Sequence, residues 1–209
     1  NEGIGQAALA SLLELEPMTV SRHVDRMVAA GLAPAYSQRP FDAPEMSVVR
    51  AGVTRVLAAY EPFPCLALDG GWNILAANPG TAVLLEGVAA HLLHQPKALR
   101  IALPPDGLAP RIANLAQWRG HLLDRLRREA QESGGADALL AEIEAYPGGS
   151  APTELGGVAV PLELDTVEGG RLTFLSVVTT FGTALDLTAA ELSIEAFLPA
   201  DDATAAALR

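Results

Sequence analysis

The sequence predicts an α+β fold, a small antiparallel sheet covered by helices. Three observations carry that expectation. Two pairs of short apolar runs are joined by acidic-Gly-Gly turns, at Asp69-Gly70-Gly71 and Glu168-Gly169-Gly170, and such turns favour hairpins because glycine supplies a positive φ. Between the two hairpins the apolar residues change to a spacing of three or four, which is helical. Half of the 209 residues are apolar and 19% are charged. That is core-forming material, not the charge-dense composition of a disordered chain.

The first periodic stretch is residues 5–31, with Ala8, Leu9, Leu12 and Leu13 on one helical face. Pro17 opens a second helix at the position where its missing N–H costs nothing, and Gly31 ends that helix. Val20, Val24, Met27 and Val28 form its buried side, while Thr19, Arg22 and Arg26 fall opposite with His23 beside them. A helix, a short turn and a helix with small and basic residues outward is the geometry that enters a major groove. In that role Arg22 and Arg26 hold phosphates or a guanine, and Thr19 and Ser21 touch base edges. An ordinary helical hairpin is the plainer alternative. Residues 32–50 follow as a linker stiffened by Pro34, Pro40 and Pro44, running into a helix start.

From residue 51 onward the elements alternate more quickly. Phe63 to Leu68 and Trp72 to Ala77 are the first strand pair, and Asn78 before Pro79 suits the N-cap of a following helix. Ile112, Leu115, Trp118, Leu122 and Leu126 form one stripe on a helix of roughly twenty residues. Ala138 to Tyr146 is a shorter helix, closed by Pro147-Gly148-Gly149. Val158 to Val167 and Arg171 to Thr179 form the second strand pair, and Leu192 to Leu198 is either a last strand or a short helix. In this layout the helices cover one sheet face and can enclose a cavity.

Chemistry-bearing patterns are sparse. Cys65 is the only cysteine and lies in an apolar strand, so it reads as a buried, inert thiol. His91 and His94 are three apart, but a metal site needs a third ligand and no HExxH pattern occurs. Neither a GxSxG elbow nor a phosphate loop is present, so no enzyme, metal or cofactor is expected. The net charge of −11 argues against general nucleic-acid coating, but not against one local DNA-reading helix. Seven basic residues between Lys97 and Arg128 precede an acidic stretch from Glu154 onward. They read as two solvated faces, or as surfaces that meet. Arg100 can hold a ligand carboxylate bidentately, although an ion pair with the acidic C-terminal half is favoured. No apolar stretch reaches the ~18 residues of a membrane span, and no basic start precedes an apolar run. A cytoplasmic protein is expected.

Two resemblances sharpen the reading. Gln6-Ala7-Ala8-Leu9-Ala10 with Glu16-Pro17-Met18-Thr19-Val20-Ser21-Arg22-His23-Val24-Asp25-Arg26 resembles the helix-turn-helix of MarR-type regulators. From about residue 29 to 209 the chain resembles XRE-family regulators that carry an MmyB-like ligand-binding domain. The motifs that carry this are Tyr60-Glu61-Pro62-Phe63-Pro64, Leu68-Asp69 before Trp72-Asn73, and Ala76-Ala77-Asn78. Asn114-Leu115-Ala116 with Trp118, Thr179-Thr180-Phe181-Gly182-Thr183, and the ending from Glu191 to Asp201 follow in order. The resemblance implies a PAS-like sensing domain over residues 51–209, attached to the partial helix-turn-helix head of residues 1–31. Its pocket would take a small apolar ligand, of fatty-acid type. Phe63, Trp72, Asn78, Arg100, Leu115, Trp118, Leu122 and Phe174 are the candidate pocket residues. The implied protein is a bacterial transcription regulator that binds operator DNA as a homodimer. A ligand-binding and dimerisation module without DNA affinity is the alternative.

Overall fold

The structure is a computed structural model that describes residues 40–133, 137–149, 151, 160–180 and 192–209. The helix pair read at residues 5–31, with Thr19, Ser21, Arg22, His23 and Arg26, lies outside the described residues. Pro44 opens a 3-10 turn that runs directly into helix α1 (Ser47–Ala59). Arg50 donates from Nη1 to the carbonyls of Phe41 and Ala43, at 2.8 and 2.6 Å, and so fastens the Pro40–Pro44 segment to the helix. Val53 and Leu57, four apart, make the buried face of α1.

Strands β1 (Cys65–Leu68) and β2 (Ile74–Ala77) form the first hairpin. Asp69 organises its turn, since Oδ1 accepts from the backbone N–H groups of Gly71 and Asn73, both at 2.9 Å. The left-handed residue is not a glycine, as expected, but Trp72 at φ 63°. Such a backbone costs about 1–3 kcal/mol and needs surroundings that fix it. Those surroundings are tertiary: the indole is buried and bonded, and the Trp72 carbonyl accepts from Ala98 N at 2.9 Å. In the second hairpin Gly169 does take the positive φ, at 91°.

Short helices α2 (Ala82–Leu85) and α3 (Ala98–Ala102) follow, then the long α4 (Leu115–Ser133) and α5 (Asp137–Glu144). Ile112 stops short of α4 and bridges to Leu164 instead. Strands β3 (Leu162–Asp165), β4 (Arg171–Thr180) and β5 (Ser193–Pro199) and helix α6 (Asp202–Ala207) complete the chain. The run at residues 192–198, open between strand and helix by sequence, is therefore strand β5. It is paired on both sides, with β1 and with β4. The five strands are antiparallel in the order β2-β1-β5-β4-β3. The fold is α+β, with a five-stranded antiparallel sheet. Among the described residues no helix is long and apolar enough to cross a membrane.

Helices cover both faces of this sheet, not one. The central strands β1 and β5 carry buried residues at successive positions, so each face needs its own cover. Cys65, Ala67, Ile194 and Ala196 pack against Val53 and Leu57 of α1. Leu66, Leu68, Phe174 and Phe197 turn the other way, into the larger core with Leu99, Trp118, Leu122 and Leu126. Period-two alternation sorts the two sets without exception along both strands.

Candidate functional site

A cavity of about 310 Å³ lies between the second sheet face and the helices, within the size range of small-molecule sites. Leu66, Ile74, Leu162 and Phe197 form its floor from four strands. Trp118 and Leu122, one turn apart on α4, form a wall. The roof comes from the stretch between Thr81 and Leu108, including Leu84, Leu99 and Ile101. Leu93 and Ala77 are exposed and mark the open side. Aromatic rings continue the wall in a row: Trp118 to Phe197 at 6.5 Å between centroids, and Phe197 to Phe174 at 6.4 Å, nearly edge-on.

Among the described residues, one charged side chain lines this apolar space. Glu195 of β5 is only 4% exposed and faces the cavity beside Phe197. Its Oε1 accepts from Ser176 Oγ at 2.7 Å, and its Oε2 accepts from Arg125 Nη1 at 3.1 Å. Arg125 also donates from Nε to Glu129 Oε1 at 3.0 Å and lies over the Trp72 ring, 4.3 Å from its centroid. Trp72 Nε1 donates to Glu129 Oε2 at 2.7 Å. Trp72, Arg125, Glu129, Glu195 and Ser176 therefore form one connected polar chain behind the cavity wall. His121 stands beside it, its ring 5.6 Å from that of Trp118. Burial, then the positive charge of Arg125, pushes the His121 pKa below its ordinary value.

The candidate pocket residues divide. Trp72, Trp118 and Leu122 line the cavity together. Phe174 packs behind Phe197 without lining it, and Phe63 and Leu115 lie elsewhere, Leu115 beside a shallower cleft with Pro110 and Pro147. Arg100 is exposed and bonds Glu142 of α5 bidentately, at 2.8 and 2.7 Å. It does not line the cavity, and its partner precedes the acidic C-terminal half. The basic middle does meet that half, through the Arg125–Glu195 ion pair and through Arg111 Nε, which donates to Asp165 O at 2.9 Å.

Asn78 departs from its expected cap role. It is 5% exposed, and no side-chain cap bond forms at the turn it precedes. Its Oδ1 accepts from Cys65 N at 3.0 Å, and its Nδ2 donates to Leu57 O at 3.1 Å and Phe63 O at 2.9 Å. These bonds join the end of α1, the loop after it and β1. Gly80 makes this closeness feasible, because a Cβ there would collide with the Pro62 carbonyl.

Cys65 is fully buried, and burial pushes its thiol pKa up to about 11. His91 pairs with Asp106 at 3.0 Å on the surface. Among the described residues no group of three or more His, Cys, Asp or Glu is arranged to hold a metal. Sequence reasoning missed Glu195, Arg125 and Ser176. The available signal was a lone glutamate inside the apolar run Leu192 to Leu198.

Comparison with known proteins adds the following. A family model described as the MmyB-like transcription regulator ligand binding domain matches residues 49–209. No curated protein matches the chain. Among solved structures, the chain is similar to a domain of the sensory box sensor histidine kinase/response regulator from Geobacter sulfurreducens. The identity is 12%, 76% of this chain and 99% of that chain are covered, and the TM-score is 0.31.

Proposed function

The chain belongs to the family of MmyB-like transcription regulator ligand binding domains, and on that premise we propose that it is a regulator whose cavity senses a small apolar ligand with an extended, fatty-acid-like chain. The observation that carries this reading is the cavity of about 310 Å³, walled by apolar side chains from four strands and three helices. An enclosed apolar site of this size gains affinity in proportion to the apolar area it removes from water, ~25 cal/mol per Å². The proposed output is DNA binding by residues 5–31 as a homodimer, with Arg22 and Arg26 on phosphates or guanine and Thr19, Ser21 and His23 beside them. A single short recognition helix covers little DNA, which is the reason for two.

The test has two parts. Ala102→Phe places a ring into the cavity, and it should abolish binding of a solvatochromic apolar probe while the protein stays folded by circular dichroism. Unchanged probe affinity would remove the cavity from the reading. Arg22→Ala with Arg26→Ala should abolish operator retention in a gel-shift assay and leave probe binding intact. Retention by the double variant would leave a ligand-binding and dimerisation module as the better account.

A further inference from the structure

We infer that the ligand presents a non-anionic, hydrogen-bond-donating head group to Glu195, so that an ionised fatty acid is the wrong member of its class. The inference rests on the ligand-sensing reading above and narrows it. Among the described residues Glu195 is the one ionisable side chain that lines the cavity, and it is acidic. Each carboxylate oxygen offers two lone pairs. Ser176 occupies one on Oε1 and Arg125 one on Oε2, so each oxygen keeps an acceptor site.

Among the described residues, Arg125, Arg100 and Lys97 are committed elsewhere. Arg125 is shared between Glu195 and Glu129 and lies over Trp72, whose ring stands in the cavity wall. Arg100 is locked to Glu142 outside the cavity. Lys97 donates from Nζ to the Gly71 carbonyl at 2.8 Å and does not line the cavity. A ligand carboxylate would thus be drawn from water into an apolar space where, among the described residues, the one charged lining side chain has the same sign. Two carboxylates in such a space repel each other, and neither supplies the other with a donor. A hydroxyl, amide or protonated amine meets the opposite situation: it supplies the proton that Glu195 can still accept. The other polar lining atoms do not change the balance. Thr81 Oγ1 donates to Asn78 O, and Trp72 Nε1 is spent on Glu129.

The test compares decanol, decylamine and decanoate, one tail with three heads, by isothermal titration of the full chain at neutral pH. Moderate salt screens the general charge of −11. The expected result is that decanol and decylamine bind at least about tenfold tighter than decanoate. In Glu195→Gln the gap between decanol and decanoate should close to within about threefold, because the amide bears no charge. If that variant unfolds with Arg125 left unpaired, Arg125→Gln with Glu195→Gln removes both charges together and gives the same readout. Decanoate binding as tightly as decanol would overturn the inference while sparing the sensor. A gap that persists in the folded variant would take the selectivity away from Glu195. Failure of all three to bind, with Ala102→Phe indistinguishable from the parent chain, would instead sink the sensor reading itself.

Discussion

Replacing Asn78 with alanine should destabilise the domain by about 4 kcal/mol without altering the cavity wall. The figure follows from what the side chain leaves behind. Cys65 N–H loses the Oδ1 acceptor and is buried at the start of β1. Phe63 O loses its donor, while Leu57 O keeps a weaker bond from Tyr60 N at 3.3 Å. One buried and one half-buried group are therefore stranded, each costing about 1–3 kcal/mol. For a domain of this size each kcal/mol lowers the melting temperature by about 2–4 °C, so a fall of about 10 °C is expected. Asn78→Asp separates the contributions. It keeps an acceptor for Cys65 N–H but turns a carboxylate oxygen toward two carbonyls, so it should do no better than alanine. Thermal denaturation followed by circular dichroism, with probe binding measured well below the transition, checks both variants. A melting point within about 2 °C of the parent chain for Asn78→Ala would refute the reasoning. So would full rescue by Asn78→Asp.

Three further outcomes are expected. Arg119 is buried and caps the end of α5, donating from Nη1 to Gly149 O and from Nη2 to the Ile143, Glu144 and Tyr146 carbonyls. Arg119→Met should therefore cost about 3 kcal/mol in urea unfolding, and Arg119→Lys should recover only part of it because an ammonium lacks the planar fork. His121 has its pKa lowered from 6.5 by burial and by Arg125, so the folded state resists a proton that the unfolded chain accepts. Its stabilising contribution is complete above 6.5 and is lost as pH falls through that value toward the folded one. Unfolding free energies at about pH 7.5 and about 5.5 should differ less in His121→Gln than in the parent chain. Cys65, with its thiol pushed up to about 11, should resist a thiol reagent at neutral pH in the native protein and react at once in denaturant. Rapid native labelling would contradict its burial.

Local chemistry made the turns legible, and long-range contacts decided what remained. Asp69-Gly70-Gly71 and Glu168-Gly169-Gly170 mark the two hairpins correctly, because an acidic residue and glycines bias any chain toward a tight turn. Which residue turns left-handed is a different matter. At Trp72 the indole's anchorage to Glu129, 57 residues away, overrides the local preference for glycine. The α4 stripe was legible from Leu115 to Leu126, but Ile112 was assigned to it wrongly. A strand-like bridge to Leu164 claims that residue. In the site, Trp72 and Trp118 stand out as large apolar bodies, and Leu122 by its place in the α4 stripe. The roof does not, because helices of four or five residues such as α2 and α3 are too short to show a period. Arg125 and Glu195 are 70 residues apart, and no spacing rule links them.

The alternation along β1 and β5 gives the cavity a mechanical neighbour. Leu66, Glu195 and Phe197 face the cavity, while Cys65, Ala67, Ile194 and Ala196, on the same two strands, face α1. One sheet thickness separates a bound ligand from that helix, and an interior packed at crystal-like density passes a displacement on instead of absorbing it. Both ends of α1 are held by hydrogen bonds: Asn78 grips Leu57 O near its C-terminus, and Arg50 grips Phe41 and Ala43 before its N-terminus. The helix thus connects the sheet face behind the cavity to the Phe41–Pro44 segment. For the proposed regulator this sets a bound on signalling. Ligand can bias the preceding residues only by its difference in affinity for two placements of α1, ordinarily ~1–3 kcal/mol, and operator DNA must shift ligand affinity by the same factor.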